Sequence, residues 1–191
     1  MPERQSPVDI PPATPVHREG LRIRYGSIPL VLGHNPMAIQ VDNTGDAGAI
    51  IDGVPHRLMQ LHMHCPGEHT VGGTHAAMEL HFVHQSAEGA LAVVGVMFVE
   101  GRENRAIGAI LEAVVGGDRP EAFDLDALVP ADRAYIAYDG SLTTPPYTEG
   151  VAWCVLVRAN TISSTQLAAL RAVHDGNARE IQPMNERSFR S

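Results

Sequence analysis

Cysteine is nearly absent: only Cys65 and Cys154 occur among 191 residues, and neither belongs to a C-x-x-C pair. That excludes a disulfide scaffold. The two thiols read as unpaired core residues, because free cysteine is among the most buried side chains. Positive charge is also scarce. Fourteen cationic residues face 22 acidic ones, for a formal charge of −8, and no two cationic residues adjoin. Clustered cations are what displaces counterions from nucleic acid or an anionic membrane, so neither is expected as a partner. No run of about 18 apolar residues occurs, which excludes a transmembrane helix. The opening Met1 to Gln5 lacks the apolar core of a signal peptide. The expectation is a cytoplasmic protein, or a periplasmic one if a leader has been trimmed away.

The apolar share of 44% is ordinary and excludes wholesale disorder. A chain of this length buries about 70% of its unfolded surface and needs no staples, so residues 1–191 read as one domain. Short strand-like runs recur at Leu21 to Tyr25, Ile28 to Leu32, Ala38 to Val41, His56 to Cys65, Met78 to His84, Leu91 to Val99 and Val151 to Val157. Turn chemistry at Asp52-Gly53, Gly72-Gly73 and Glu88-Gly89 separates several of them. Helical spacing holds from Asn104 to Val115, and from Ser164 to Val173 behind a Ser163/Gln166 capping box, with Gly176 available for a left-handed exit. The pattern predicts a mostly β domain with a few peripheral helices.

Histidine is what the chain has in excess. Six of its ten histidines fall between His62 and His84. On a strand, Gln60, His62 and His64 share one face, with Leu61 and Met63 on the other. Glu79, His81 and Val83 align in the same way on a second run. Three imidazoles can then converge from two strands and leave a fourth position open, which suits catalytic zinc. Gln60 and Glu79, each two residues before a ligand on its own face, can accept the remaining imidazole N–H groups. His17, His56, His75 and His174 read as solvated; His69 and His84 read as structural hydrogen-bonders. The hydroxyl-rich run Ser141 to Pro146 adds a threonine able to orient a nucleophile if a buried carboxylate such as Glu68 takes its proton.

Gln5-Ser6-Pro7, His62-Met63-His64, Glu68-His69-Thr70-Val71, Met78 to His84 and Ser141 to Pro146 occur in the order and spacing of the α-class carbonic anhydrases. The chain resembles that family from Gln5 onward. The resemblance implies a large twisted, mainly antiparallel central sheet and one Zn2+ per chain. It also implies reversible hydration of carbon dioxide to bicarbonate and a proton by a zinc-bound hydroxide. Position by position, His62, His64 and His81 match the zinc ligands, Thr143 the orienting threonine and Glu68 its acceptor. Gln60, Glu79 and the Asn177 carbonyl match the groups that hold the ligand rings. Val83, Val93, Leu142, Val151 and Trp153 match the apolar wall, and Thr144 a substrate-contacting position.

Three departures stand out. Met37 occupies the position where fast relatives carry a proton-shuttle histidine, which leaves His34 as the candidate shuttle. Four residues precede Gln5, where relatives carry a longer aromatic-rich segment. The surface such a segment would cover is expected to be closed otherwise or buried in a homodimer. Tyr147 stands where secreted relatives carry one disulfide cysteine. Two other readings fit part of the pattern: a catalytically inactive carbonic anhydrase-related binding domain, and a cupin-type metal enzyme in which Glu68 would be a ligand.

Overall fold

Residues 3–190 are described in the computed structural model. The first strands are β1 (Asp9–Ile10), β2 (Leu21–Arg24), β3 (Ser27–Ile28), β4 (Val31–Leu32) and β5 (Gln40–Asp42). Next come β6 (Gly48–Ile51), β7 (Val54–His64), β8 (Thr70–Val71), β9 (Thr74–His75), β10 (Met78–Ser86) and β11 (Leu91–Glu100). Helix α1 (Arg105–Val114), β12 (Phe123–Asp124), β13 (Tyr135–Ser141), β14 (Glu149–Leu156), β15 (Asn160–Ile162) and α2 (Ser164–Val173) complete the chain order. No helix among the described residues is long and apolar enough to cross a membrane.

The turn residues set the registers. Asp52 and Gly53 both lie at positive φ (49° and 82°), as a two-residue hairpin turn between β6 and β7 requires. Gly72 and Gly73 (57° and 76°) do the same between β8 and β9. A ten-stranded sheet follows the path β13-β14-β11-β10-β7-β5-β4, antiparallel except where β11 pairs with β14 and with β15. The run Ile28 to Leu32 divides into two strands because Pro29, between them, has no N–H to give a ladder. Asn104 caps α1 by accepting from the amides of Ala106 and Ile107, and the Ser163/Gln166 box closes the start of α2.

The sheet separates two apolar clusters. On one face Leu61, Met63, Leu80, Phe82, Val94, Val96 and Cys154 pack into the larger core with both helices. On the other, Val83, Val93, Tyr138, Val151, Trp153 and Val155 form a smaller cluster. Cys65 and Cys154 are both buried and unpaired.

His84 lies in the larger core, its Nε2 hydrogen-bonded to the Tyr25 hydroxyl at 3.1 Å and its Nδ1 without a partner. Burial drives its imidazole down to about 4, against about 6.5 in an unfolded chain. Between those values the unfolded chain binds a proton that the folded one refuses. This group's stabilisation is therefore complete above about pH 6.5 and is lost as the pH falls towards 4. Across that window, denaturant titrations should show wild type losing about 3 kcal/mol relative to His84→Gln. Parallel pH profiles for the two proteins would contradict this.

Candidate metal centre

The register places the site. β7 and β10 are antiparallel, with His62 opposite His81, His64 opposite Glu79 and Gln60 opposite Val83. Directly opposed residues share a sheet face, so these six side chains project together. On the next strands Val93 opposes Val83 and Trp153 opposes Val93, which extends the same face as an apolar wall. Gly95 opposes His81, and a Cβ there would lie 2.9 Å from Glu79 Oε1. A side chain at that position would push the Glu79 carboxylate off its partners.

One nitrogen from each of His62, His64 and His81 lies within 4.8 Å of the others, and all three rings are buried. Each ring meets a polar neighbour at its other nitrogen. His62 Nδ1 lies 2.9 Å from Gln60 Oε1, and His64 Nδ1 lies 3.1 Å from the Asn177 carbonyl. His81 Nε2 lies 3.1 Å from Glu79 Oε1, a close polar contact outside hydrogen-bond geometry, which leaves its Nδ1 for the centre. His62 Nε2 and His64 Nε2 are buried with no hydrogen-bond partner. Burial, reinforced by the neighbouring rings, holds His62 well below the ordinary imidazole value and His64 at about 3. Burial lowers His81 as well, against the pull of Glu79. The three lone pairs are thus free at neutral pH. Three neutral nitrogen donors converging from buried rings, two of them without a hydrogen-bond partner, fit a zinc ion with one position left open.

Burial alone would raise the Glu79 carboxyl, but the His69 and His81 rings at its oxygens bring it well below the ordinary range. His69 gives Glu79 both its backbone N–H (2.8 Å) and its Nδ1 (2.7 Å). His69 Nε2 meets the Tyr138 hydroxyl at 2.7 Å, which in turn meets Ser6 Oγ at 2.8 Å. Although His69, Glu79 and His81 also cluster, both nitrogens of His69 are spent in this relay, which fixes the orientation of His81 through Glu79. Sequence reasoning placed His69 correctly as a hydrogen-bonder but missed Tyr138 and Ser6.

Glu68 is buried, with Oε1 accepting from the Arg179 backbone N–H at 2.8 Å. Its oxygens lie 3.4 Å from His64 Nδ1 and 3.7 Å from His81 Nδ1. Burial pushes its carboxyl up to about 8, opposed by the neighbouring Thr143 hydroxyl and by the Arg179 N–H. The Thr143 hydroxyl is close enough to act on that titration, yet Glu68 Oε2 has no partner in hydrogen-bond geometry.

A cavity of about 110 Å³ opens beside the rings, lined by Gln60, His62, His81, Val83, Val93, Leu142, Thr143, Thr144 and Trp153. Val151 is fully buried in the cluster behind this wall and does not line the cavity. His34 is exposed in the loop after β4 and is likewise not among the lining residues. Met37 is 55% exposed, its carbonyl accepting from Asn177 Nδ2. His17 departs from its solvated reading: its Nε2 lies 2.7 Å from the Arg190 carbonyl, and its ring stacks on Tyr135.

Comparison with known proteins agrees with this geometry. A family profile described as eukaryotic-type carbonic anhydrase matches residues 2–191. The carbonic anhydrase of Klebsiella pneumoniae is 42% identical over 192 residues, spanning 96% of this chain and 78% of that protein. The solved α-carbonic anhydrase of Thermovibrio ammonificans, in complex with sulfanilamide, has a TM-score of 0.86 at 35% identity, over 97% of this chain and 86% of its own. The Photobacterium profundum α-carbonic anhydrase gives 0.87 at 36%, over 98% and 89%. A profile match across nearly the whole chain, with relatives of this identity and coverage, means that the chain belongs to the eukaryotic-type, or α, carbonic anhydrase family.

Proposed function

We propose that this chain hydrates carbon dioxide reversibly, using one zinc ion held by His62, His64 and His81. The buried, unpartnered Nε2 atoms of His62 and His64, in a cluster whose His62 and His81 rings line a mostly apolar cavity, carry the reading. Zinc, when bound there, supplies a Lewis acid that lowers the pKa of coordinated water from 15.7 to about 7.

The protein's own groups do the rest. Gln60, Glu79 and the Asn177 carbonyl fix the ring orientations and so preset the ligand geometry. The Thr143 hydroxyl donates a hydrogen bond to Glu68 and can then only accept another. Its oxygen accepts a hydrogen bond from the attacking nucleophile, which keeps its own proton and turns a lone pair towards the cavity. Val83, Val93, Leu142 and Trp153 hold carbon dioxide, which is uncharged and weakly polar. The same wall offers nothing to a bicarbonate anion, which favours release. An inactive binding domain of this family is expected to lack ligands, and here all three converge. The family assignment excludes the cupin alternative, and Glu68 is read as a hydrogen-bond acceptor.

A thioether carries no proton at neutral pH, so Met37 cannot export the proton released in each turnover. That duty falls to buffer or to His34. Stopped-flow hydration at fixed pH should therefore accelerate with imidazole concentration until it saturates. Fast turnover that ignores imidazole contradicts the buffer path; no hydration at any imidazole concentration contradicts the function. The expected dimer belongs to the same reading, its contact supplied by the apolar groove with Val16, Val71 and Val157 at its rim, each more than 40% exposed. Light scattering at micromolar concentration should give twice the chain mass; a monomeric mass would remove the dimer.

A further inference from the structure

We infer that the stacking of Arg179 on Tyr147 positions Thr143, making Tyr147 a positioning residue that acts without touching the cavity. The inference rests on the carbonic anhydrase reading, in which Thr143 orients the nucleophile.

Tyr147 sits at φ 59°, a left-handed conformation that glycine adopts freely and a β-carbon resists. A large side chain held there needs a local reason. Its ring lies under the Arg179 guanidinium, whose central carbon is 3.8 Å from the ring centroid. Arg179 is tied elsewhere as well. Its Nη1 donates to Gln5 Oε1 at 2.9 Å and to the Ser6 carbonyl at 2.7 Å, and its backbone N–H donates to Glu68 Oε1 at 2.8 Å. Two residues earlier, the Asn177 carbonyl holds His64 Nδ1. Residues 177–179 therefore touch a ligand ring, the carboxylate that serves Thr143, and the tyrosine at the tip of the Thr143 loop.

The loop transmits that position inward. The Leu142 N–H donates to the Thr148 carbonyl, and the Tyr147 N–H donates to the Thr144 carbonyl, both at 2.9 Å. Gln5 Nε2 adds bonds to the Tyr147 carbonyl (3.3 Å) and Glu149 Oε1 (2.9 Å). With Leu142 and Tyr147 pinned on either side of it, Thr143 has little freedom relative to Glu68. Without the stack, the loop keeps its internal bonds and the bridge through Gln5 but loses its direct side-chain contact with the segment that holds Glu68.

Tyr147→Gly separates the ring from the backbone, since glycine accepts the left-handed conformation without strain. In the zinc-loaded protein it should keep its thermal midpoint and zinc content, while kcat/KM falls about fivefold, the scale of one cation–π contact. The amides of Leu142 and residue 147 should exchange faster with deuterium. Tyr147→Phe, which keeps the ring face, should restore both readouts. Arg179→Lys keeps the charge and the backbone donor but not the planar stack, and should reproduce the glycine result. Wild-type kcat/KM and wild-type exchange in Tyr147→Gly, or an equal loss in Tyr147→Phe, would overturn the inference. Should wild type itself fail to hydrate carbon dioxide, the functional reading falls, and the exchange rates alone still decide whether the stack holds the loop.

Discussion

His81→Ala should lose zinc and carbon dioxide hydration together, with the fold intact. His81 opposes His62 across β7 and β10, and its ring is 1% exposed, so no outside group can take its place in the set of three. Removing an outer partner of a ligand ring typically costs 10–100-fold in metal affinity or activity. Removing the ring itself should exceed the upper end of that range in affinity and bring hydration to the uncatalysed rate. The fold should survive because Glu79 keeps two bonds from His69 after His81 is gone. No buried carboxylate is stranded, which is the usual route to a large loss of stability. Zinc content by metal analysis and hydration by stopped flow check both halves. Retained zinc with full turnover would show that His81 is not a ligand.

Thr143→Val should keep zinc and lose about 100-fold in kcat/KM. Valine has nearly the shape of threonine, and residue 143 is only 8% exposed, so the substitution removes the hydroxyl with little change in packing. What disappears is the acceptor that aims the nucleophile. A misplacement of about 1 Å at a reacting group costs on the order of 10²-fold. Glu68→Gln should act in the same direction, since with its oxygen on the Arg179 N–H the amide presents an NH2 group in place of Oε2, which donates to the threonine oxygen instead of accepting from it. Its Oε1 can still accept from Arg179, so the surrounding segment stays in place. Zinc-replete Thr143→Val with wild-type kcat/KM would remove Thr143 from the mechanism.

Much of this was legible in the sequence because strands reveal their faces. Alternation from Gln60 to His64 and from Glu79 to Val83 put ligands and outer partners on one side, and the observed register agrees residue for residue. The Ser163/Gln166 box marked the start of α2 in the sequence, and the helical spacing that begins at Asn104 ran from the residue that caps α1. β13 escaped because it is buried on both faces except at Asp139, so it shows no alternation, and its Asp139-Gly140 pair resembles a turn. With β13 went Tyr138, and so the relay through His69 to Glu79. Other partners were beyond local pattern. The Arg190 carbonyl that takes His17 is 173 residues away, and the parallel pairing of β11 with β14 depends on a crossover that no local signal encodes. The ladder of β5 likewise begins at Gln40, two residues beyond the start of the Ala38 to Val41 run.

The central claim is that three buried imidazoles hold a zinc ion that makes carbon dioxide hydration possible, and reversible metal removal tests it most directly. Stopped-flow hydration would be followed in the zinc-loaded protein, after stripping with a chelator, and after zinc is returned to one ion per chain. The account predicts fast hydration, then the background rate, then recovery in proportion to zinc restored. Hydration that persists undiminished in the stripped protein, or zinc-loaded protein that never exceeds background, would contradict it.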